Sequence, residues 1–195
     1  MNQIIRCKWC QSHQLLQDYH DAEWGMPNSN QRHLYEHLVL EIFQAGLNWL
    51  TMLKKRDRFK SAFMDFEAEK VAAFNSADIE KLLADASLIR NLSKIKAAVN
   101  NAKIFLDISQ KYDGFWNFVI HFKPEKEVIY KLEEEIPART AESAALAKEL
   151  KTWGFKFIGP TSAYAYMQGV GLVNDHIDSC FRFPAVEVIR KKMFK

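Results

Sequence analysis

Between residues 31 and 44 the apolar side chains Tyr35, Leu38, Val39 and Ile42 fall at the three- and four-residue steps that place one buried stripe along a helix. Glu41 interrupts the stripe. It stands three residues after Leu38 and seven after Leu34, at the border of an apolar face where an unpaired charge is costly. Gly46 is placed to end this helix, and Asn48 to cap a second one reaching to about residue 64, with Trp49, Leu53 and Phe63 expected inward. The same periodicity predicts a short helix capped by Ser76, with Asp78 and Glu80 in its first turn. It predicts a longer one over about residues 92–111 with Ile95, Val99, Ala102 and Leu106 inside, and another over about 141–153, capped by Thr140 and stopped by Gly154. Pro160 opens the next helix at a position where proline is tolerated. No strand-like alternation of useful length occurs, so the fold class is all-α.

Composition changes this picture little. A chain of 195 residues can bury a substantial core, and 48% hydrophobic content with only seven Gly and five Pro excludes disorder and collagen-like order. Three cysteines, without an N-terminal apolar run of signal-peptide length, predict a reducing cytoplasm and no disulfide framework. No stretch approaches the roughly twenty apolar residues of a membrane span, so no membrane partner is expected. The net charge of +3 is too small to require a polyanionic partner, and its distribution says more. Lys54, Lys55, Arg56, Arg58 and Lys60 crowd the helix that follows the Gly46 corner, and that position makes them the best candidates for phosphate contacts, although such a run is more often just a solvated helix face.

Candidate chemistry gathers at three places. Glu41 and Trp49 flank the corner, an arrangement suited to a flat, electron-poor ring that stacks on the indole while the carboxylate reads its edge. Taken alone, the stretch favours a core Trp and a Glu satisfied by a neighbouring helix. The connector Gly154-Phe155-Lys156-Phe157-Ile158-Gly159 has glycine at both ends and leads into a helix N-terminus, which fits a DNA phosphate or an ordinary helix–helix connection. Near the two ends of the chain, Cys7, Trp9, Cys10 and His13 precede a polar–aromatic block at residues 18–25. Asn174 is expected to cap a helix carrying His176 and Cys180, four apart, on one face. Those two form half a metal site, whose other ligands must come from the N-terminal cluster, either as the Cys7–Cys10 pair or as Cys7 with His20.

Five blocks, Arg6-Cys7-x-Trp9, Tyr19-His20-Asp21-x-Glu23-Trp24-Gly25, Gln44-Ala45-Gly46-Leu47-x-Trp49, Gly154-Phe155-Lys156-Phe157-x-Gly159 and Leu172-Val173-Asn174-Asp175-His176, occur in this order. Together they resemble the bacterial 3-methyladenine DNA glycosylase I family of the helix-hairpin-helix superfamily. The resemblance covers most of the chain, from Arg6 to about Pro184. It implies a helix-hairpin-helix glycosylase fold in a single compact unit, with a helical body over about residues 31–170 and a zinc-tethered lobe formed by about 1–30 with 171–195. It also implies an enzyme that flips an alkylated adenine out of double-stranded DNA and hydrolyses its N-glycosidic bond, releasing free 3-methyladenine and leaving an abasic site without a lyase step. Glu41 would be the catalytic and base-reading carboxylate, with Tyr19 and Trp49 stacking on the base. Gln44, Ala45, Gly46 and Leu47 would wedge into the duplex, and Gly154, Phe155, Lys156, Phe157 and Gly159 would hold its backbone. One structural zinc would be bound by Cys7, His20, His176 and Cys180, leaving out Cys10 and His13. A cytoplasmic monomer is expected.

The chain departs from the enterobacterial pattern at Leu16, where a pocket tyrosine is expected, and at Ile42 and Phe43, which replace smaller or polar residues beside Glu41. Asn48 for serine is milder, since both cap helices. Asn174 stands where related glycosylases carry an essential aspartate, which suits a cationic, already activated leaving group. Two rival readings are a non-catalytic, zinc-stabilised reader of alkylated DNA and a zinc-dependent hydrolase. The second needs an open coordination position, which four protein ligands would fill.

Overall fold

Across residues 4–194, which the computed structural model describes, the chain forms ten α-helices and no strand. They are α1 (Gln14–Ala22), α2 (Gln31–Gln44), α3 (Trp49–Ala62), α4 (Ala68–Ala72), α5 (Ser76–Ala84), α6 (Leu92–Tyr112), α7 (Phe115–Val119), α8 (Ala141–Trp153), α9 (Pro160–Gly169) and α10 (Arg182–Met193). No helix among the described residues is long and apolar enough to cross a membrane.

Helix α2 is the axis of the molecule. Asn30 fixes its start by accepting from the amides of Arg32 and His33, a cap worth about 1 kcal/mol. An unbroken run from His37 to Phe43 is buried, as expected of a helix enclosed on all sides. Helices α3, α6, α7 and α9 pack around it. Its C-terminal carbonyls are satisfied by a buried cation: Lys94 of α6 donates its Nζ to the carbonyls of Phe43 (3.0 Å) and Ala45 (2.7 Å). Gly46 then turns the chain at φ +85°, and Asn48 caps α3 by accepting from the Thr51 amide at 2.9 Å.

Several local expectations shift. The inward face of α3 is Met52 and Phe59, with Phe63 just past its end, while Trp49 and Leu53 are only partly buried. In α6 the stripe includes Phe105 rather than Leu106. The cap of α5 is Asn75, which forms a reciprocal box with Asp78, and Ser76 is the first helical residue. The 141–153 helix forms as predicted between Thr140 and Gly154 (φ +99°), and Pro160 opens α9.

The segment from Leu172 to Phe181 is not helical, so Asn174 caps nothing there and His176 and Cys180 do not share a helix face. Backbone bonds to distant segments replace intrahelical ones: the amide of Asp178 donates to the Tyr130 carbonyl (2.9 Å) and that of Phe181 to Ile5 (3.0 Å). Asn174 instead donates to the Phe183 carbonyl (3.2 Å) and to Glu187 (2.8 Å). Arg190 of α10 is fully buried and holds the start of this segment, donating to the carbonyls of Gly171 and Leu172 and pairing with Glu127 and Glu187. The N-terminal segment lies alongside, with the Gly25 amide donating to the Gln168 carbonyl at 3.0 Å. Only glycine fits at 171, where φ is +77° and a Cβ would stand 2.2 Å from the nitrogen of Pro27.

Candidate active site

The turn from α2 to α3 faces α1 and α9 across a cavity of about 320 Å³. Glu41, Gln44 and Trp49 line it from the turn, Trp9, Tyr19 and Trp24 from the N-terminal segment, and Gln168 from α9. The predicted corner residues and Tyr19 therefore converge on one space. Trp9, Trp24 and Gln168 are wall residues that the sequence motifs do not single out for the pocket. The density of aromatics around residues 9–24 was the available signal for the first two.

The rings of Tyr19 and Trp49 touch directly, with centroids 5.1 Å apart and planes at 54°, and Trp9 meets Trp24 edge-on at 5.0 Å. A purine between two parallel faces requires them to lie roughly 7 Å apart, as two successive van der Waals contacts dictate. Tyr19 and Trp49 thus form adjoining walls of the cavity, and a sandwich between them requires the rings to part. Leu16 is buried in α1 and does not line the cavity. Ile42 and Phe43 are also core residues, Phe43 packing edge-on against Phe59 at 4.7 Å.

Glu41 is 5% exposed. Burial alone pushes its carboxyl up to about 8, and no charged or hydrogen-bonding partner offsets that burial among the described residues. At neutral pH a carboxyl in this state is largely protonated, and a cation entering the cavity would draw it into the ionised form. Just beyond, Ala45, Gly46, Leu47 and Asn48 are solvent-exposed, and Leu47 projects with 43% of its surface free.

The 154–159 connector is pinned by two side chains of α6. Asn100 donates to the Gly154 carbonyl at 3.1 Å, and Asn101 both donates to the Lys156 carbonyl (3.0 Å) and accepts from its amide (2.9 Å). Phe155 is core, so its side chain is not available to a ligand. Lys156 and Phe157 are exposed, Phe157 at φ +58° with 48% of its surface free, and Gly159 is partly buried.

The cation run on α3 is less available than its sequence suggests. Arg56 forms a fork on Glu23 (2.7 and 2.8 Å) and also binds Glu36 (2.7 Å), Lys55 donates to the Ser87 carbonyl, and Lys60 pairs with Asp65. Lys54 and Arg58 remain exposed without a protein partner among the described residues.

Cys7, His20, His176 and Cys180 are all buried, with one ligating atom from each within 4.8 Å of the others. Cys180 Sγ lies 3.5 Å from both His20 Nε2 and His176 Nδ1, those two nitrogens are 3.1 Å apart, and Cys7 Sγ is 3.9 Å from His176 Nδ1. Bonds of about 2.0–2.3 Å to a tetrahedral ion separate ligand atoms by about this much. The far nitrogen of each histidine is also held: His20 Nδ1 is 2.8 Å from Asp21, itself forked by Arg6, and His176 Nε2 is 3.0 Å from the Trp24 carbonyl. Cys10 turns away and donates its thiol to the Cys7 carbonyl at 3.0 Å, while His13 caps α1 through the Leu15 amide. The four residues could hold a metal ion, and the Cys7–Cys10 pairing does not form.

Residues 9–183 match the methyladenine glycosylase family model. The chain is similar to DNA-3-methyladenine glycosylase 1 of Escherichia coli, 43% identical over 183 residues that cover 92% of this chain and 97% of that protein. It is likewise similar to DNA-3-methyladenine glycosylase of Haemophilus influenzae, 40% identical over 177 residues covering 90% and 96%. Among solved structures, a tyrosine-to-phenylalanine variant of 3-methyladenine DNA glycosylase I in complex with 3-methyladenine aligns at a TM-score of 0.87. That protein is 34% identical, with 92% of this chain and 97% of the other covered.

Proposed function

The chain belongs to the methyladenine glycosylase family, and from that membership and its pocket we propose that it removes 3-methyladenine from alkylated DNA by base flipping and hydrolysis. The observation that carries the mechanism is the buried, partnerless Glu41 on an aromatic-walled cavity. An adenine methylated at N3 is cationic while still attached to deoxyribose. The indole of Trp49 attracts that cation, and Glu41 ionises to meet it, so both contacts favour the damaged base over neutral adenine. The positive charge already weakens the glycosidic bond, and departure of a neutral base relieves it. Asn174, held by Phe183 and Glu187 outside the cavity lining, performs no acid–base step.

Water is the nucleophile, and an abasic site remains. A lyase step would need a free amine in the pocket, and no lysine lines it. Lys94, which reaches the corner from α6, is committed to two main-chain carbonyls. Residues 44–47 enter the duplex with Leu47 at the tip. The α8–connector–α9 unit acts as a helix-hairpin-helix, whose exposed Lys156, Phe157 and following amides receive the DNA backbone. The protein acts as a monomer on double-stranded DNA.

Cys7, His20, His176 and Cys180 hold one zinc ion, which supplies folding energy and fastens residues 7–20 to 176–180 without an open position for chemistry. Residues 31–170 then act as the glycosylase body, and the two terminal segments as a metal-tethered lobe that places Tyr19 at the pocket. The deciding experiment incubates the protein with methylated duplex DNA and measures free 3-methyladenine. Release supports the enzyme, whereas tight binding without release would leave a reader of damage.

A further inference from the structure

One turn before Glu41 on α2 lies His37, and one turn before that His33. The two rings are 4.5 Å apart. His37 is fully buried and neither of its ring nitrogens has a hydrogen-bond partner, and Nε2 of His33 is likewise buried and unpartnered. A neutral imidazole carries one N–H and one lone pair, so the two rings can each offer one lone pair to a shared cation, while the second His37 nitrogen keeps its proton. Glu23, just past α1, brings its carboxylate to the same point, with one ligating atom from each of the three residues within 4.8 Å of the others. The α9 helix makes room only because residue 169 is glycine: a Cβ there would stand 2.5 Å from His37 Nδ1.

The surroundings carry the right charge. Arg56 forks Glu23 and also binds Glu36, so the cluster holds two carboxylates against one guanidinium, a net negative charge. A carboxylate offers about four lone-pair sites, and the Arg56 fork leaves some of those of Glu23 free. Burial pushes both imidazoles down, keeping them neutral with lone pairs available.

We propose that His33, His37 and Glu23 form a second metal site, a two-histidine, one-carboxylate set for zinc or a neighbouring first-row divalent cation, separate from the Cys7, His20, His176 and Cys180 group. Imidazole and carboxylate donors without thiolate suit such borderline cations. Glu23 and His33 are only partly buried and can close the remaining distance by rotamer adjustment. Three protein ligands leave a coordination position for water. The ion would brace the base pocket from behind, because the His37 ring stacks on Trp49 (6.3 Å, 22°) and lies 6.2 Å from Tyr19.

The test counts metal in the whole protein after loading with zinc and dialysis, and repeats the loading with cobalt as a spectroscopic probe. Two equivalents per chain are expected, one with cobalt–thiolate charge-transfer absorption and one without. His33→Gln and His37→Leu should each remove the thiolate-free equivalent and spare the other, with helical content unchanged. His33 lies at the partly exposed end of the cluster, so its variant reports even where His37→Leu disturbs packing. Absence of a thiolate-free cobalt site in the unaltered chain, or its survival in a His33→Gln, Glu23→Gln double variant, overturns the proposal.

Discussion

Two buried carboxylates serve the two sides of the pocket, and they are held in opposite ways. Asp175 accepts hydrogen bonds from the Tyr164 hydroxyl and the Gln168 amide, both at 2.7 Å, and these counter the burial that pushes its pKa up. Glu41 has no such partners, and burial carries it to about 8. Asp175 is fastened and orders the wall that Gln168 presents. Glu41 is left unsatisfied, a cost that a cationic base can relieve.

The largest test of this contrast is Glu41→Gln, which keeps shape and removes the ionisable group. A lost charge-assisted contact of about 3 kcal/mol predicts roughly a hundredfold drop in excision of 3-methyladenine in a folded protein. Excision at the unaltered rate would make Glu41 structural. The matching change on the other side, Asp175→Ala, strands a tyrosine hydroxyl and an amide, and should lower unfolding free energy by about 3 kcal/mol in denaturant titration. If it cost no stability, the fastening described for Asp175 would be wrong.

The pH response sharpens the difference. With a folded pKa near 8 against an ordinary value of 4.5, Glu41 binds more protons folded than unfolded between those limits. Its contribution to stability is therefore present below about 4.5 and declines as pH rises towards 8, by up to roughly 5 kcal/mol. Comparing Glu41→Gln with the unaltered protein across this range should show the decline only in the latter, and kcat/KM for excision should rise with pH to a plateau above about 8. The smallest effect is expected from Asn174→Ala: about 1 kcal/mol of stability from its bonds to Phe183 and Glu187, with excision nearly unchanged. A folded variant without excision would return this position to the chemistry.

Where local rules suffice, the sequence was legible. The helices 31–44 and 141–153 came out at their actual ends, because their periodicity and their Gly154 and Pro160 punctuation are local signals. At α5 two adjacent polar residues could cap, and only the reciprocal bond to Asp78 selects Asn75. In the 172–181 segment a four-residue spacing suits a helix or an irregular loop equally, and the bonds that decide it run to Tyr130 and Ile5. Arg56 looks like one more surface cation in the α3 run because its partners, Glu23 and Glu36, lie 33 and 20 residues away. In the site, Glu41, Trp49 and Tyr19 were reached through the corner and the family blocks. The direct contact between Tyr19 and Trp49 and the His33–His37 pair depend on how α1, α2 and α9 meet, which no single stretch encodes.

The backbone bonds that tie Gly25 to Gln168 and Ile5 to Phe181 also set an order of events during synthesis. Residues 5–25 leave the ribosome long before Gln168 and Phe181 exist, although α3, which brings Arg56 to Glu23 and Trp49 to Tyr19, follows soon after them. The aromatic wall of the pocket is therefore held from the α3 side only until nearly the last segment has emerged. A nascent chain stalled before residue 168 would carry much of the helical body and none of the finished pocket.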